Sequence, residues 1–446
     1  MNKLFSAGFA LITGIGIVLL SSGNLPGAAA KTRTKKKTVS PPPISHAARD
    51  AAARRVEGYL QASAGMGFDQ PQMMGPFFQR LTQLLSGESA APVHILHFGD
   101  SHTAADEWTG GMRYYFQHKF GNGGSGYSLA GHPFLGYRRF GTRHGATASW
   151  QTEGLSSGMG DGYFGLGGVS IFTKRAGQSV FIEAECSDVG IYYLQMPGGG
   201  DVELIDNDQI VKTFSTDGDI AATMVNYRTT PGMHTLKLLT LQNRPVRLLG
   251  WATDRDSGVT YEALGINGAQ ASIFFRWNEN MIADDLKLRN PALIVLAYGS
   301  NEASDPNWTE EGYQAMFTTL LKRLKTDCPN ASILVLGPTD RMMRMRTGSV
   351  VLVQGIEKIV NAQRLACAQM GATYWNAKER MGGSTSIRDW ALAGLGQNDY
   401  VHFTAPGYDK LAEVLFGDIM RLYDQYLKVH STPPTQISDG QASQSN

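Results

Sequence analysis

Apolar and polar positions follow three different patterns along the chain and divide it into three parts. In the first, residues 46–64 and 75–86 place apolar side chains at the spacing of one helix face. Residues 93–98, "VHILHF", are a short apolar run typical of a buried strand, and "TAADEWTGGMRYYFQHKF" after it fits an amphipathic helix. This part therefore predicts two helices, a strand, a sharp turn and a third helix.

The middle part, from about residue 160 to 256, consists of short β-type runs separated by Gly, Pro, Asn and Asp. Turns that recur at this spacing are typical of an antiparallel sandwich. The segment "DNDQ" predicts a hairpin turn, because Asn and Asp tolerate positive φ. Aromatic residues here could form a platform for sugar rings or fill the sandwich core, and both interpretations stay open for Tyr192, Tyr193, Tyr227 and Trp251.

Beyond residue 257 strand and helix patterns alternate again, which predicts a parallel sheet. The strands are "VTYEALGING", "PALIVLAYGS" and "ASILVLGP", with helices over about 272–287 and from near Glu310. The fold class is therefore α/β, a parallel sheet interrupted by an inserted antiparallel β-sandwich. The predicted parts are residues 46–150 and 257–429 for the α/β domain, 151–256 for the insert and 430–446 for a disordered tail.

The N-terminus has the features of an export signal. Lys3 precedes an apolar stretch, and small residues suited to cleavage follow at 28–30. An uncleaved membrane anchor stays open, because the apolar stretch approaches the length that spans a bilayer and the basic run at 31–37 follows it. We expect an exported protein of the periplasm or cell envelope, with residues 1–30 as the signal and 31–45 as a basic, proline-rich linker.

Charge and cysteine content exclude several classes of function. The net charge is +1 and the densest basic run is the short N-terminal one, so nucleic-acid binding is not indicated. Cys186, Cys328 and Cys367 give neither a zinc pattern nor a disulfide framework. A Cys328–Cys367 bridge is conceivable, but burial as small apolar side chains is favoured. The sequence does not reveal the oligomeric state.

Polar residues follow three predicted strands of the α/β part, and a fourth polar segment precedes the last predicted helix. Open parallel sheets bind ligands at the carboxyl ends of their strands, so these segments should meet at one edge. A serine hydroxyl becomes a nucleophile only when a base takes its proton, which favours Ser101 as nucleophile and His402 as base, with Asp399 orienting the histidine. The segments are Gly99–His102, Gly265–Gly268, Gly299–Glu302 and Asp399–His402.

An oxyanion needs hydrogen-bond donors, and three are available in these segments. We predict that the backbone N–H groups of Ser101 and Gly268 and the side-chain amide of Asn301 form the oxyanion hole. His102, next to the nucleophile, is interpreted as a substrate-binding residue of the pocket, or as a polar side chain satisfied within the protein.

A metal site built from His97, Asp100 and His102 is the competing interpretation. It needs about three correctly placed ligands, and His97 alternates with Phe98 along a strand, so that its side chain should point away from Ser101. We therefore predict no metal and no cofactor.

The blocks "FGDSHTA" and "DYVHFTAPGY" resemble the first and last blocks of the SGNH, or GDSL-like, hydrolase family, named for its Ser, Gly, Asn and His. The resemblance covers about 93–135 and 257–425 and implies a three-layer, flavodoxin-like sheet. The segment "GSNE" has Glu302 where many members have the Asp of Gly-x-Asn-Asp. Asn301 is kept, so the departure puts in doubt only the supporting contact made by the residue at position 302.

More narrowly, "GDSHTAADEWTGGMR", "GINGA" and "YGSNEA", with a sandwich between the first two blocks, resemble the peptidoglycan O-acetylesterases of Gram-negative bacteria. In that group the insert is similar to a carbohydrate-binding module. The resemblance implies a periplasmic serine esterase that removes acetyl from the 6-hydroxyl of muramic acid residues through an acyl-enzyme. A polysaccharide O-acetyltransferase on the same fold, or a non-catalytic glycan-binding envelope protein, remains an alternative.

Overall fold

A computed structural model describes residues 45–155 and 160–430, which lie within one compact unit. The predicted signal segment, the linker except Ser45 and the tail except His430 lie outside the described residues. Ser45 caps the first helix by accepting the Ala48 N–H, and His430 ends the last helix. None of the helices in the two described ranges has the length and apolarity needed to cross a membrane.

The described residues contain α-helices and strands that we number along the chain. The helices are α1 (His46–Ala62), α2 (Gly75–Ser86), α3 (Ser101–Ala104), α4 (Glu107–Phe120), α5 (Glu279–Arg289), α6 (Glu310–Asp327), α7 (Gly355–Met370), α8 (Ala377–Arg380), α9 (Ser386–Leu392) and α10 (Ala405–His430). Short 3-10 helices cover Pro71–Met74, Ala271–Arg276 and Glu302–Ser304.

The strands are β1 (Phe68–Asp69), β2 (Val93–Gly99), β3 (Gly124–Ser128), β4 (Arg143–Ala146), β5 (Gln151–Gly154), β6 (Val169–Thr173), β7 (Ser179–Gln195), β8 (Asp201–Asp206), β9 (Gln209–Ser215), β10 (Ala221–Thr240), β11 (Val246–Asp254), β12 (Val259–Gly265), β13 (Leu293–Ala297), β14 (Ser332–Leu336), β15 (Met342–Arg344), β16 (Val350–Leu352) and β17 (Thr373–Trp375).

A six-stranded sheet forms the centre of the α/β part. Its order is β1-β17-β14-β13-β2-β12, and all pairs are parallel except the short β1 with β17. Side chains of successive strand residues point to opposite faces. Ile95 and Val295 pack with α2, α4 and α10, whereas Leu96 and Leu296 pack with α5, α6 and α7. The result is three layers, as the strand and helix patterns predict.

The second sheet is entirely antiparallel, with the order β5-β6-β11-β7-β10-β8-β9, β3 beside β11 and β4 beside β7. The first half of β7 pairs with β4 and the second half with β11. One core contains residues from both halves, including Ile182 and Ile191, so the sheet folds over itself into a sandwich. Strands β3 and β4 precede residue 151, where the sequence pattern begins the insert; glycine-rich strands carry a weak apolar pattern.

The predicted "DNDQ" turn is confirmed. Asn207 and Asp208 have φ values of 47° and 68° and connect the antiparallel neighbours β8 and β9. Two positive φ values in a two-residue loop match the right-handed twist of the flanking strands.

Three of the four aromatic residues considered as a sugar platform lie inside the insert. Tyr192, Tyr193 and Trp251 are at most 4% exposed and pack in hydrophobic cores. Tyr227 is half-buried, and its hydroxyl donates to Asp206 Oδ2 at 3.0 Å. These four side chains therefore do not form an exposed platform, and the core interpretation holds for the first three.

The prediction of one continuous helix after β2 is wrong, because the helix is interrupted at Asp106. This residue has a φ of 55° and separates α3 from α4. Its buried carboxylate accepts the Thr109 hydroxyl at 2.7 Å and forms ion pairs with Arg113 and Arg139. Tertiary partners of a buried charge thus override the local helix pattern.

The helix predicted over 272–287 is also divided. A 3-10 helix ends at Arg276, and α5 begins after Asn278, whose side chain accepts the Met281 N–H at 3.2 Å. Asparagine is a preferred N-cap, so α5 starts at its own signal.

The three cysteines are free and buried. Cys328 and Cys367 lie in the same hydrophobic core as separate thiols. Burial raises the pKa of the Cys328 thiol to about 12, so it stays protonated. The favoured sequence interpretation, burial as small apolar side chains, is confirmed.

An arginine at the end of α5 joins the two sheets. Arg289 Nη2 donates to Asp254 Oδ1 of β11 at 2.8 Å, and its Nε donates to Glu262 Oε1 of β12 at 2.9 Å. Arg289 is 4% exposed and Glu262 is fully buried. Such a network is costly to break, because the carboxylates would remain without a counter-charge.

We expect Arg289→Met to lower the free energy of unfolding by about 3–5 kcal/mol, since it strands two carboxylates in the interior. Urea unfolding of the variant and the wild type measures the difference. Arg143→Met, which removes the exposed partner of Glu183, is the matched control and should cost at most about 1 kcal/mol. Equal losses in the two variants would contradict a structural role for the buried network.

Candidate active site

Ser101 lies at a tight turn between β2 and α3. A Cβ at Gly99 would lie 2.1 Å from Thr103 Oγ1 and 2.9 Å from the Ala297 carbonyl oxygen, so only glycine fits there. Asp100 follows and caps α3 by accepting the His102 N–H at 2.9 Å. The turn places Ser101 at the first position of the helix, at the carboxyl edge of the parallel sheet.

Ser101, His402 and Asp399 form a continuous chain of contacts. Ser101 Oγ lies 2.9 Å from His402 Nε2, and His402 Nδ1 lies 2.7 Å from Asp399 Oδ2. Asp399 Oδ1 also accepts the N–H groups of Val401 and His402, at 2.9 and 3.0 Å. Burial raises the pKa of Asp399, but the hydrogen bonds from His402 and Val401 outweigh it and the net pKa is lowered. The carboxylate is therefore ionised and sets the histidine tautomer.

The two further oxyanion candidates lie in adjacent loops. Gly268 follows β12 with a φ of 73°, beside a cavity of about 280 Å³, and a Cβ there would meet open space. Asn301 Nδ2 donates to the Ala269 carbonyl oxygen at 2.9 Å and lies 3.4 Å from Asp100 Oδ2. Asn301 thus ties the Gly268 loop to the turn before Ser101. The oxyanion roles of these groups stay a prediction.

His102 is buried and packs against the ring of His402. It is 5% exposed, its ring centroid is 5.2 Å from that of His402, and its Nδ1 lies 2.9 Å from the Tyr408 hydroxyl. Burial, together with the charges of His402 and Arg341, lowers the pKa of His102 to about 3, so it is neutral. This burial favours the alternative interpretation, a polar side chain held within the protein, in which His102 packs against the ring of His402. The substrate-binding role stays a prediction.

The residues of the alternative metal site point in different directions. His97 is fully buried in the sheet, and its Nδ1 lies 2.9 Å from the Tyr261 hydroxyl. His102 faces Tyr408, and Asp100 faces the backbone of α3. Within residues 45–155 and 160–430, no three His, Cys, Asp or Glu side chains form a group that could hold a metal ion.

Glu302 joins two loops of the site. Its Oε1 accepts the Ala271 N–H at 2.8 Å and the Tyr313 hydroxyl at 3.2 Å, while its Oε2 accepts the Gly299 N–H at 3.0 Å. Gly299 precedes Asn301 by two residues, and Ala271 begins the 3-10 helix that follows the Gly268 loop. Glu302 therefore fixes the two loops relative to each other. Sequence reasoning left its role undefined, because its partners lie far apart along the chain.

We expect Glu302→Gln to lower stability, and the deficit to shrink as pH rises. Burial raises the pKa of Glu302 from 4.5 to about 7, so the stability that this carboxyl contributes is present below pH 4.5 and is lost as pH rises through about 7. The amide cannot titrate. Urea unfolding at pH 5 and pH 8 should show the gap narrowing by about 1–3 kcal/mol. A gap independent of pH would contradict the raised pKa.

Arg341 is a site residue that sequence reasoning missed. Its Nη1 donates to the Ser300 carbonyl oxygen, next to Asn301. Burial lowers the pKa of Arg341, whereas the charges of Asp100 and Asp399 raise it. The available signal was its position: Arg341 follows β14, so the rule that placed the other polar segments at the carboxyl edge applies to it as well.

Comparison with known proteins gives one family match. Residues 234–410 match the GDSL-like lipase/acylhydrolase family. This range contains Gly268, Asn301, Asp399 and His402 but not Ser101, which the insert separates from the other blocks. No curated protein sequence matches the chain.

A solved structure of a peptidoglycan O-acetylesterase is similar to the chain over most of both molecules. It is 25% identical, with 78% of this chain and 96% of that chain covered and a TM-score of 0.68. A family two carbohydrate esterase from Cellvibrio japonicus is 13% identical over 64% of this chain and 99% of its own, with a TM-score of 0.28. That second similarity is too weak to support a comparison of function. The predicted three-layer hydrolase domain with an inserted sandwich is confirmed.

Proposed function

We propose that this chain, a carboxylic ester hydrolase whose residues 234–410 match the GDSL-like lipase/acylhydrolase family, removes O-acetyl groups from peptidoglycan. One observation carries the proposal. The line of contacts from Asp399 through His402 to Ser101 lies at the carboxyl edge of a fold that matches a peptidoglycan O-acetylesterase over 96% of that chain. The proposed substrate is acetylated muramic acid.

Acylation follows from the arrangement of these three side chains. An ionised Asp399 only accepts hydrogen bonds, so His402 Nδ1 carries a proton and Nε2 is free to take the proton of the Ser101 hydroxyl. Ser101 Oγ then bonds to the carbonyl carbon of the acetyl group, and the carbonyl oxygen becomes an oxyanion. We assign its donors as the N–H groups of Ser101 and Gly268 and the amide of Asn301. When the ester C–O bond breaks, His402 gives its proton to the departing sugar oxygen.

Deacylation reverses the direction of the proton. His402 takes a proton from a water molecule, whose oxygen bonds to the acetyl carbon of the acyl-enzyme. The bond to Ser101 Oγ then breaks, His402 returns its proton to the serine, and acetic acid leaves and ionises to acetate and a proton. The products are acetate and a free sugar hydroxyl, and no cofactor enters the balance.

The proposed substrate places the enzyme in the periplasm or cell envelope. Residues 1–30 would direct this export and, if uncleaved, would anchor the protein in the membrane. Fractionation of cells that express the full-length protein, together with N-terminal sequencing, tests both parts. A cytoplasmic protein would contradict the location, and a mature N-terminus near residue 31 would exclude the anchor.

Acetate release by the full-length protein tests the proposed activity. The substrates are O-acetylated peptidoglycan, acetylated xylan and a small activated acetate ester, each with Ser101→Ala as the control. Serine-dependent release from peptidoglycan supports the proposal. Release only from xylan or the small ester would retain the esterase chemistry and contradict the substrate.

Adding muropeptides or chito-oligosaccharides to the same assay separates hydrolysis from transfer. Acetyl transferred to an added sugar, with little free acetate, would identify an O-acetyltransferase. Binding to peptidoglycan without turnover of any substrate would identify a glycan-binding protein.

A further inference from the structure

A basic β-hairpin lies outside both large sheets. It consists of β15 and β16, which pair only with each other, and we call Arg341–Leu352 the arginine hairpin. The segment contains Arg341, Arg344 and Arg346 and no acidic residue. Met343 and Met345, between the arginines, are 44% and 42% exposed. The hairpin therefore presents positive charge and apolar surface together.

The base of the arginine hairpin contacts the loop that carries the predicted acid/base histidine. The Met342 N–H donates to the Tyr400 carbonyl oxygen at 2.9 Å, and the Arg344 guanidinium lies 5.5 Å from the centroid of the Tyr400 ring. Arg344 Nη2 also donates to the Asn398 carbonyl oxygen at 3.2 Å. Tyr400 stands between Asp399 and His402 in the chain.

The arginine hairpin also contacts a second segment of the site. Arg341 Nη1 donates to the Ser300 carbonyl oxygen, so the arginine hairpin begins beside the loop of Asn301. On the other side, the Arg388 guanidinium of α9 donates to two acceptors of the hairpin, the Val350 carbonyl oxygen and Met342 Sδ, and so adds a further positive charge. The hairpin is thus fixed at the edge of the active site.

None of the three arginines of the hairpin forms an ion pair within the described residues. Asp100 and Asp399 act on Arg341 through their charges, but Asp399 is already paired with His402. The neighbouring Asp340 is buried and accepts the Ile387 N–H. Guanidinium groups next to a site that form no ion pair with the protein favour an anionic ligand, and planar guanidinium matches carboxylate geometry.

We propose that the arginine hairpin binds carboxylates of the substrate and thereby directs the ester hydrolase toward an acidic glycan rather than a neutral one. This inference rests on the proposed function. Peptidoglycan carries carboxylates in two places, on its stem peptides and on the lactyl group of muramic acid where the peptide is absent. The exposed methionines contact the apolar parts of the same substrate. The contacts with Tyr400 and Ser300 place the base of the hairpin at the loops that carry His402 and Asn301.

Specificity ratios of charge variants test the inference in the full-length protein. We define the ratio as kcat/KM on O-acetylated peptidoglycan divided by kcat/KM on a small neutral acetate ester. A variant that disturbs the catalytic loop lowers kcat/KM on both substrates, so the ratio changes only when binding of the peptidoglycan changes. Arg346→Gln should lower it about tenfold, as expected for loss of a hydrogen bond between charged groups, and Arg344→Gln should lower it similarly. Arg346→Lys should retain most of it, and added salt should lower the wild-type ratio toward that of Arg346→Gln.

Lys322→Gln is the matched control, because it removes an exposed positive charge in the C-terminal half of α6, at the opposite end from the site. Its ratio should equal that of the wild type. Glycan strands stripped of stem peptides by an amidase separate the two sources of carboxylate. A retained effect of Arg346→Gln on stripped strands assigns the lactyl carboxylate, and a lost effect assigns the stem peptide.

Ratios unchanged in both Arg344→Gln and Arg346→Gln would overturn the inference. The same holds if these variants lose binding to phosphatidylglycerol vesicles while the ratio stays constant, because the hairpin would then be a membrane contact. If the wild type hydrolyses the small ester but not peptidoglycan, the proposed function fails separately. Sedimentation of Ser101→Ala with insoluble peptidoglycan, with and without Arg346→Gln, then decides whether the hairpin binds it.

Discussion

Alanine at Ser101 removes acetate release, and alanine at His402 removes it to the same extent. We expect a loss in kcat of about a million-fold for each variant and no further loss when the two are combined, because a nucleophile and its base act as one unit. The 2.9 Å contact between Ser101 Oγ and His402 Nε2 is the structural reason. Steady-state hydrolysis of the small acetate ester measures all three variants.

Stability should not explain these losses. The Ser101 side chain contacts His402, and both groups lie at an edge of the sheet instead of in a core, so the urea midpoint should be close to that of the wild type. Ser86→Ala, at the exposed end of α2, is the control and should keep full activity. Retained turnover in Ser101→Ala would rule out the serine as nucleophile, and losses that add in the double variant would separate the roles of the two residues.

Asparagine at Asp399 lowers kcat by up to about ten-thousand-fold. The amide retains an oxygen that can accept the N–H groups of Val401 and His402, so the loop should keep its shape. It cannot hold His402 with Nδ1 protonated as a carboxylate does, and the base then faces Ser101 in the wrong tautomer. The same ester assay measures the loss, and Asp424→Asn, an exposed change on α10, serves as the control. A loss below about tenfold would assign the orienting role to another group.

Three segments of the site could be predicted from the sequence because they follow strands, and the fourth, Asp399–His402, because it precedes the last helix. Apolar runs locate β2, β12 and β13, and parallel strands bring their carboxyl ends to one edge. Ser101 could therefore be placed at this edge from the pattern alone, whereas His402 was assigned to the same site because a nucleophilic serine needs a base. The two side chains are in contact. The distances themselves, and the tie between Asn301 and Ala269, depend on loop conformations that no local pattern encodes.

The features that the sequence did not predict share a physical origin, which is packing between segments distant in the chain. The helix after β2 breaks at Asp106 because Arg139 supplies a counter-charge from another loop. His102 adjoins Ser101 in sequence, yet its side chain turns toward Tyr408 of α10. Glu302 acquires its role from the backbone of Ala271. Each of these residues required the tertiary neighbour to be known before its function could be assigned.

The position of the sandwich has a consequence for how the protein folds. Strands β2 and β12 are neighbours in the parallel sheet, although the whole sandwich lies between them in sequence. Joining them directly would require closing a very long loop before any sheet contact stabilises it, and such non-local pairing slows folding. The pairing of β3 with β11 shortens this search, because these strands adjoin the two ends of the insert. A sandwich that folds early would hold β2 and β12 close together, so mutations that destabilise β3 or β11 should slow refolding of the hydrolase sheet itself.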